Sequence, residues 1–299
     1  MRTRRATEPT LLTPVDGVSF TNLRDVVALA KPRVTVIVLL TTAGGAWLAP
    51  TRVSPAGLAW LLVGTFLVVA GANALNMLLE RDTDGLMTRT KDRPLPAGRL
   101  SPRTVLWLGV ASSVVSLPVL GLGVNATTAV LAALANLLYV FAYTPLKRRT
   151  HLALLVGAVP GAIPPLLGWT AATGRVEPGG LVLFAILYFW QLPHFHAIAI
   201  FRQQEYDRAG LEVMPSARGV PATRRAILAS MVAVAASSAL LAPLHVVRPG
   251  YLPTAIVLGA AFLGVGIVDG VRGGSAKVTF VASIAYLVAL FAAIVLFAG

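Results

Sequence analysis

The 299-residue sequence contains no cysteine, which excludes a disulfide, a thiolate metal site and a catalytic thiol. It is also poor in charge, because Asp, Glu, Lys and Arg make up only 12% of it, against roughly 25% in soluble domains. Acidic residues are the scarcer sign, with 12 against 25 basic ones, and the formal net charge is +13. No polar segment is long enough to form a basic, water-exposed domain, so we expect no nucleic-acid partner.

Hydrophobic residues take the place of the missing charges. They make up 56% of the chain, and the mean hydropathy is +0.77. A helix needs about 20 apolar residues to cross a lipid bilayer, and such segments recur along the chain. We predict an all-α, polytopic membrane bundle of nine transmembrane helices, over residues 35–49, 56–79, 104–122, 125–146, 152–172, 180–201, 226–246, 251–270 and 278–298.

The first 34 residues differ from the rest of the chain. They begin MRTRRATEPT and are polar or mixed, without the early apolar stretch and small-residue cleavage site of a secretory signal. Their last part, FTNLRDVVALAKPR, alternates apolar and basic residues, which is typical of a helix lying at the membrane surface. We predict a cytoplasmic tail with an interfacial helix over residues 1–34, followed by a nine-helix intramembrane domain over residues 35–299.

The distribution of Lys and Arg predicts the orientation, because these residues are enriched in cytoplasmic connections. With the N-terminus inside, 22 of the 25 basic residues fall in inside segments, and only Arg52, Arg175 and Arg248 fall outside. An odd number of spans then leaves the C-terminus outside. The predicted location is the inner (cytoplasmic) membrane of the cell, as a multi-pass protein in contact with the lipid bilayer.

The first long inside segment carries a regular pattern of oxygen-bearing side chains. Asn76, Glu80 and Asp84 are spaced four residues apart, so on a continuing helix they share one face. Such a set suits Mg²⁺, which prefers hard oxygen ligands and completes its shell with water and substrate phosphates. Asp82 lies on another face. The alternative interpretation is a solvated helix end with local ion pairs.

Basic residues surround this stripe, and a second acidic site follows four spans later. Carboxylates that hold a cation beside Arg and Lys donors are the usual arrangement for binding a diphosphate, although the inside location alone also explains many of the basic residues. Glu205 and Asp207 in the second inside segment provide the other acidic site, for which a solvated loop is the alternative. The basic residues at this face include Arg89, Lys91, Arg93, Arg99, Lys147, Arg148 and Arg149.

Several stretches carry a resemblance to a known family. They are AKPRVT at 30–35, NMLLERDTDGLMTRTKDRPLPAGR at 76–99, YTPLKRRT at 143–150, GAIPPLLGW at 161–169, WQLPHF at 190–195 and EYDRAGLEVMP at 205–215. The chain resembles the UbiA-type intramembrane prenyltransferases, and within them the branch that farnesylates heme. The acidic pattern marks the superfamily, whereas the run from Met87 to Arg99 and the WQLPHF segment are specific to the heme branch.

The resemblance implies a reaction and a set of site residues. Farnesyl diphosphate ionises, its allylic carbon joins a vinyl group of protoheme IX (heme b), and water completes the side chain of heme O. The implied cofactor is Mg²⁺, and heme A synthase or terminal oxidase assembly factors are implied further partners. The predicted catalytic and metal-binding residues are Asn76, Glu80, Asp84 and Glu205, the diphosphate-binding residues are Arg81, Lys91, Arg93, Tyr143, Lys147 and Arg148, and the heme-binding residues are His194 and Trp190.

The sequence departs from the family pattern at three positions, and two alternative functions stay open. One departure is Ala153, which stands where an Asn is common after the LKRRT motif. Glu205 stands where the family more often has Asp, and His196 replaces a usually apolar residue. A prenyltransferase could act on another aromatic or tetrapyrrole acceptor, such as a quinone precursor or a chlorin. A heme or ion transporter is the alternative of another class, but it predicts ionisable residues along a path through the bilayer. Eleven of the twelve acidic residues lie at or near the inside face, and Glu177 is the exception.

Overall fold

A computed structural model describes residues 22–299 of the chain. Within that range the protein is helical, and its β structure is one isolated bridge between Val247 and Ala298. The helices are α1 (Leu23–Leu29), α2 (Pro32–Leu48), α3 (Pro55–Leu79), α4 (Arg81–Gly85), α5 (Pro102–Gly123), α6 (Ala126–Leu137), a π-helical segment (Leu138–Tyr143), α7 (Thr144–Leu146), α8 (Ala153–Thr173), α9 (Pro178–Phe201), α10 (Gln203–Arg208), α11 (Met214–Ala239), α12 (Tyr251–Arg272) and α13 (Ala276–Leu296).

Local sequence signals fix where several of the long helices begin. The side chains of Ser54, Ser101 and Asn125 each accept a hydrogen bond from a backbone N–H in the first turn of α3, α5 and α6. Proline follows directly at the first position of α3 and α5, where its missing N–H costs nothing and its fixed φ suits the helix. These three membrane helices therefore start at ordinary capping positions.

The prediction of a polytopic helical membrane protein is confirmed. Among the described residues, seven helical segments are long and apolar enough to span a bilayer, and the pair α1–α2, bent by 50°, makes an eighth if it counts as one span. The segments are α3, α5, the continuous run from α6 through α7, α8, α9, α12 and α13.

The predicted span over residues 226–246 is where the sequence analysis was least accurate. The helix there, α11, begins twelve residues earlier at Met214 and ends at Ala239. It breaks at Gly219, whose φ of 80° lies in the left-handed region, and its N-terminal part carries Arg224 and Arg225. Because this part is polar, α11 is not among the seven segments that are long and apolar enough to span a bilayer. The predicted end at residue 246 is wrong, since a loop follows Ala239.

The N-terminal prediction is tested only in part. Residues 1–21 of the predicted tail lie outside the described residues. The expected interfacial segment contains the short helix α1, which presents Leu23 and Val27 to the outside while burying Leu29. The first membrane helix begins at Pro32, three residues before the expected start. The placement of α1 at the membrane surface stays a prediction.

Close helix contacts at small residues hold the bundle together. Helix α8 packs against α2, α6 and α9, and α9 packs in turn against α11 and α13. A Cβ on Gly45 of α2 would lie 2.0 Å from the Pro165 carbonyl oxygen, and one on Gly168 of α8 would lie 1.9 Å from the Thr42 carbonyl oxygen. Small residues of this kind let membrane helices approach backbone to backbone. The start of α2 lies beside the end of α3, because Lys31, just before α2, donates to Asn76 Oδ1.

Candidate active site

Asn76, Glu80 and Asp84, called the acidic stripe below, keep their helical spacing across a break in the helix at the end of α3. Glu80 caps α3 with non-helical dihedral angles (φ −99°, ψ 4°), and α4 follows at once. The helical spacing continues nevertheless, because the Glu80 N–H donates to the Asn76 carbonyl at 3.0 Å and the Asp84 N–H donates to the Glu80 carbonyl at 2.7 Å. Asn76, Glu80 and Asp84 therefore stay in helical register although the helix is interrupted.

Each carboxylate of this stripe is paired with a cation from elsewhere in the chain. Lys147 Nζ lies 2.7 Å from Glu80 Oε1, and Arg93 Nη1 lies 2.6 Å from Asp84 Oδ2. The two carboxylate side chains are only 14% and 5% exposed. Although burial opposes the charged form, the Tyr143 phenol and the Glu80 carboxylate hold the pKa of Lys147 above its usual range. The charges of the site are thus fixed in position before a ligand arrives.

Lys31, to which the sequence analysis assigned no role, belongs to the same cluster. It lies between α1 and α2, and its ammonium donates to Asn76 Oδ1 at 2.9 Å. It also interacts electrostatically with Arg93, Lys147, Glu80 and Asp84, and burial together with the two cations lowers its pKa. Lys31 belongs to the AKPRVT stretch, but no local sequence pattern indicates a contact between this lysine and a residue 45 positions later.

Asn76 is held in one orientation by its second hydrogen bond. Its Nδ2 donates to Thr144 Oγ1 at 3.0 Å, and that hydroxyl donates to the Tyr139 carbonyl at 2.8 Å. Tyr139 belongs to the π-helical segment that precedes α7, and π-helical turns are frequent at functional sites. Because the amide nitrogen is occupied, the Oδ1 atom faces the cationic cluster as an acceptor.

The Tyr143 ring packs against α8 at Gly157, which has no side chain to block it. The Lys147 ammonium lies 4.3 Å from the centre of the Tyr143 ring, a cation–π distance. A Cβ on Gly157 of α8 would lie 2.4 Å from the Tyr143 ring. Glycine at position 157 therefore allows the ring to sit beneath the lysine. Tyr143 lies in the cluster, and its role in binding the diphosphate stays a prediction.

The second acidic segment meets the first half of the protein beside Lys147. The Glu212 N–H donates to the Lys147 carbonyl at 2.8 Å, and Tyr206 interacts electrostatically with Arg89, Tyr143 and Lys147. Glu205 itself pairs locally, since its Oε2 atom accepts a hydrogen bond from Arg202 at 2.8 Å.

Glu205 nevertheless keeps one oxygen free. Its Oε1 atom is buried and has no hydrogen-bond partner within residues 22–299. The hydrogen bond from Arg202 lowers the pKa of Glu205 although burial opposes it, and the backbone N–H of Arg89 and the charges of both arginines act in the same direction as Arg202. The carboxylate is therefore ionised and has an unused acceptor atom.

Other predicted diphosphate-binding residues lie at varying distances from this cluster. Arg148 donates to the Thr83 hydroxyl on α4, next to the stripe. Arg81 instead pairs with Asp82 at 3.3 Å, with side chains 49% and 81% exposed, so that it points to solvent. Lys91 is also exposed. The structure thus brings Arg93, Tyr143, Lys147 and Arg148 to the stripe, and does not bring Arg81 and Lys91 there.

The two predicted heme-binding residues lie together at the α9–α13 contact. His194 Nδ1 is 2.9 Å from Ser283 Oγ, and Trp190 Nε1 donates to the Ser283 carbonyl at 2.7 Å. The His194 ring stacks on Trp190 with centroids 5.0 Å apart and lies 4.7 Å from the Phe280 ring. His194 thus has one nitrogen engaged and its ring packed among aromatic side chains.

The donor set at the acidic stripe fits a magnesium ion that shares its shell with a substrate. The described residues contain no group of three or more His, Cys, Asp or Glu that could hold a metal by themselves. Two carboxylates and one amide oxygen are present instead, from Glu80, Asp84 and Asn76. Mg²⁺ is commonly held by one or two carboxylates together with substrate phosphates. The chemistry of the donors therefore fits Mg²⁺ bound together with a diphosphate.

Two cavities lie at opposite ends of the bundle. A pocket of about 240 Å³ adjoins the stripe and is lined by Glu80, Thr144, Arg148 and Leu211, among others. A larger one of about 530 Å³ lies at the other end of α8, lined by residues such as Glu177 and by none of the predicted site residues. Only the smaller cavity combines a carboxylate of the stripe with Arg148, so it is the one that fits an anionic substrate.

Known proteins with similar sequences share one description. A family model described as the UbiA prenyltransferase family matches residues 38–290. The protoheme IX farnesyltransferase of Sorangium cellulosum is 56% identical over 258 residues, which cover 85% of this chain and 92% of that protein. The protein of the same name from Myxococcus xanthus is 47% identical over 275 residues, covering 91% and 94% of the two chains.

Solved structures show the same fold at low sequence identity. A digeranylgeranylglyceryl phosphate synthase structure matches with a TM-score of 0.80 and 14% identity, over 92% of this chain and 98% of that chain. A UbiA homologue from Archaeoglobus fulgidus, bound to GPP and Mg²⁺, matches with a TM-score of 0.67 and 17% identity, over 91% and 99% of the two chains. The helical arrangement described above is therefore one that solved proteins of this kind share.

Proposed function

The chain belongs to the UbiA prenyltransferase family, and we propose that it transfers the farnesyl group of farnesyl diphosphate to a vinyl group of heme b, giving heme O. Relatives over most of the chain carry the name protoheme IX farnesyltransferase. The observation that carries the proposal is the cluster in which the largely buried Glu80 and the buried Asp84 meet Lys31, Arg93 and Lys147 at one end of the bundle. This arrangement suits a diphosphate leaving group.

The site's own residues supply the electrostatic part of the reaction. When the allylic C–O bond of farnesyl diphosphate breaks, negative charge builds up on the diphosphate, and donors already aimed at that position stabilise it most. Lys147 and Arg93 are held in place by their ion pairs, and Arg148 lies beside them. The farnesyl cation then bonds to the heme vinyl carbon, and addition of water completes the hydroxyethylfarnesyl side chain.

Magnesium is the proposed cofactor. Asn76, Glu80 and Asp84 would hold it, and Glu205 would add a fourth oxygen from the second acidic segment. When bound, Mg²⁺ neutralises charge on the diphosphate and thereby favours its departure. The Mg²⁺-bound homologue from Archaeoglobus fulgidus supports the use of a divalent cation.

The acceptor is proposed to bind beside His194 and Trp190. A histidine within a membrane helix is costly unless it has a function or a partner, and Ser283 already provides a partner for Nδ1. The Nε2 atom is proposed to contact the heme iron or a propionate. His194→Ala should then raise KM for heme and leave KM for farnesyl diphosphate unchanged, whereas an equal rise in both would show a packing role.

The proposed topology has nine spans, with the N-terminus in the cytoplasm and the C-terminus outside, in the inner (cytoplasmic) membrane. Heme A synthase or terminal oxidase assembly factors are the proposed partners that receive the product. The family relationship and the long apolar helices support a multi-pass membrane location. An alkaline phosphatase reporter after Gly299 should be active and one in the 85–100 loop inactive. A cytoplasmic C-terminus would show that the number of spans is even.

Mass spectrometry of extracted hemes tests the proposed reaction directly. The protein should be produced in a strain that lacks heme O, beside a matched strain producing Glu80→Gln. Wild type should yield heme with the added mass of a farnesyl group and a hydroxyl group, and the variant should yield almost none. Unmodified heme b in both strains, together with a prenylated quinone precursor or chlorin, would show that the acceptor is different.

A further inference from the structure

The backbone at Lys31 has an unusual conformation. Its φ of 49° and ψ of 67° lie in the left-handed region, which is unfavourable for a residue with a Cβ. Proline follows at position 32, and a residue before proline is disfavoured in the right-handed helical region. Pro32 explains why α1 does not continue through Lys31, but other contacts must hold Lys31 in its strained conformation.

Two side chains from different helices hold the peptide that joins Ala30 to Lys31. The Ala30 carbonyl accepts a hydrogen bond from Thr35 Oγ1 of α2 at 2.5 Å and another from Asn73 Nδ2 of α3 at 3.2 Å. Both side chains are buried, with Thr35 2% and Asn73 4% exposed. The Val34 and Thr35 N–H groups donate to the Lys31 carbonyl instead.

The hydrogen bonds to this peptide fix the turn between α1 and α2, and with it the backbone position from which the Lys31 side chain extends. Without them the turn could relax, and the Lys31 ammonium would move with it. In the observed orientation the ammonium reaches Asn76 Oδ1, on the same helix as Asn73 and one turn further along. One helix therefore supplies both the group that holds the backbone and the group that receives the ammonium.

We propose that Asn73 and Thr35 are positioning residues, whose hydrogen bonds to the Ala30 carbonyl keep Lys31 in its left-handed conformation and its ammonium in the diphosphate site. The inference rests on the proposed function, because the position of the ammonium matters for activity only if an anionic substrate binds there. Neither residue touches the substrate, and both act through Lys31.

Thr35→Val tests this with little change in shape, because valine replaces the hydroxyl with a methyl group. Losing a hydrogen bond to a buried carbonyl should let the turn relax, and KM for farnesyl diphosphate should rise roughly tenfold. KM for heme should not change. Thr35→Ser keeps the hydroxyl and should restore KM for farnesyl diphosphate.

Thr42→Val is the matched control. Thr42 is on the same helix and fully buried, and its hydroxyl donates to the Val38 carbonyl of its own helix at 2.9 Å. Its replacement removes an equivalent hydroxyl without touching Ala30. If both valine variants raise KM for farnesyl diphosphate equally, or if Thr35→Val changes nothing, the positioning role is refuted.

A double-mutant cycle separates positioning from general stability. In the Lys31→Gln background no ammonium remains to be positioned, so adding Thr35→Val should have almost no further effect on KM for farnesyl diphosphate. Independent effects would multiply instead, and that result would overturn the proposal. If wild-type protein with Mg²⁺ does not bind farnesyl diphosphate, the proposed function fails as well, whereas normal binding with multiplying effects rejects only the positioning role.

Discussion

The two acidic segments of the protein are alike in sequence but differ in how they are held. In the first, Glu80 and Asp84 pair with Lys147 and Arg93, and their side chains are 14% and 5% exposed. In the second, Glu205 pairs with Arg202, three residues earlier on the adjoining turn, and α10 contains no buried residue. The ion pairs of the first segment join positions far apart in the chain, whereas the ion pair of Glu205 is local. The second segment contacts the first half of the protein through the Glu212 N–H, which donates to the Lys147 carbonyl.

This difference indicates different contributions to the reaction. Charges that are already in place when the substrate binds require no reorganisation in the transition state, and this is the largest source of electrostatic catalysis. The Glu205 side chain is 19% exposed, but its partner Arg202 is 40% exposed, so this pair of residues three apart can open with little disturbance of the rest of the protein. We therefore expect the first segment to determine whether the diphosphate leaves, and the second to contribute less.

The largest effect is expected at the first segment, from Glu80→Gln and Asp84→Asn. Each keeps the shape of the side chain but removes the charge proposed to hold Mg²⁺, and each leaves a partly buried cation, Lys147 or Arg93, without its partner. The loss of one such contact commonly lowers kcat by a factor of about 10²–10³. Farnesyl transfer by purified protein measures it, with the amount of folded protein in the membrane as the check on stability. Near-normal turnover in both variants would rule out the proposed metal site.

Raising the Mg²⁺ concentration sharpens this prediction. If the variants bind the metal more weakly, excess metal should restore part of their activity, because concentration offsets a higher Kd. Wild type should already be saturated. A variant that folds normally but gains nothing from added Mg²⁺ would indicate that the lost carboxylate acts on the substrate rather than on the metal.

A smaller loss, about tenfold, is expected from Glu205→Gln. The glutamine keeps an oxygen that can ligate Mg²⁺. Arg202, which loses its ion pair, is 40% exposed and can be solvated by water instead. The same transfer assay measures this effect. A loss as large as that of Glu80→Gln would mean that the two segments contribute equally, and the structural difference between them would then have no catalytic consequence.

Local periodicity explains which parts of the site the sequence could reveal. Asn76, Glu80 and Asp84 are four residues apart, and this spacing alone predicts a shared face. The partners of that face come from distant positions, so that the contacts of Lys31 and Thr144 with Asn76 depend on how α2, α3 and α7 pack. No repeating pattern in a single segment encodes such contacts.

The same reasoning applies to the fold. Continuous apolar runs predicted most of the membrane helices to within a few residues. The prediction was poor for α11, because its N-terminal turns are polar and only its later part is apolar. The π-helical segment at Leu138–Tyr143 also left no recognisable signal, since its residues LYVFAY are ordinary for a membrane α-helix. Packing against α8 accompanies that local change of helix type.

The smallest effect is expected from Asp82→Asn, which lies between the two critical carboxylates in the sequence. The Asp82 side chain is 81% exposed, and its pair with Arg81 at 3.3 Å is also open to solvent. Exposed pairs of this kind contribute about 0–1 kcal/mol, so turnover and the amount of folded protein should stay within about twofold of wild type. The variant removes one negative charge from the same helix turn as Glu80→Gln and Asp84→Asn do. It therefore separates a specific requirement for the paired carboxylates from a general dependence on negative charge at this face, and a loss comparable to theirs would favour the general dependence.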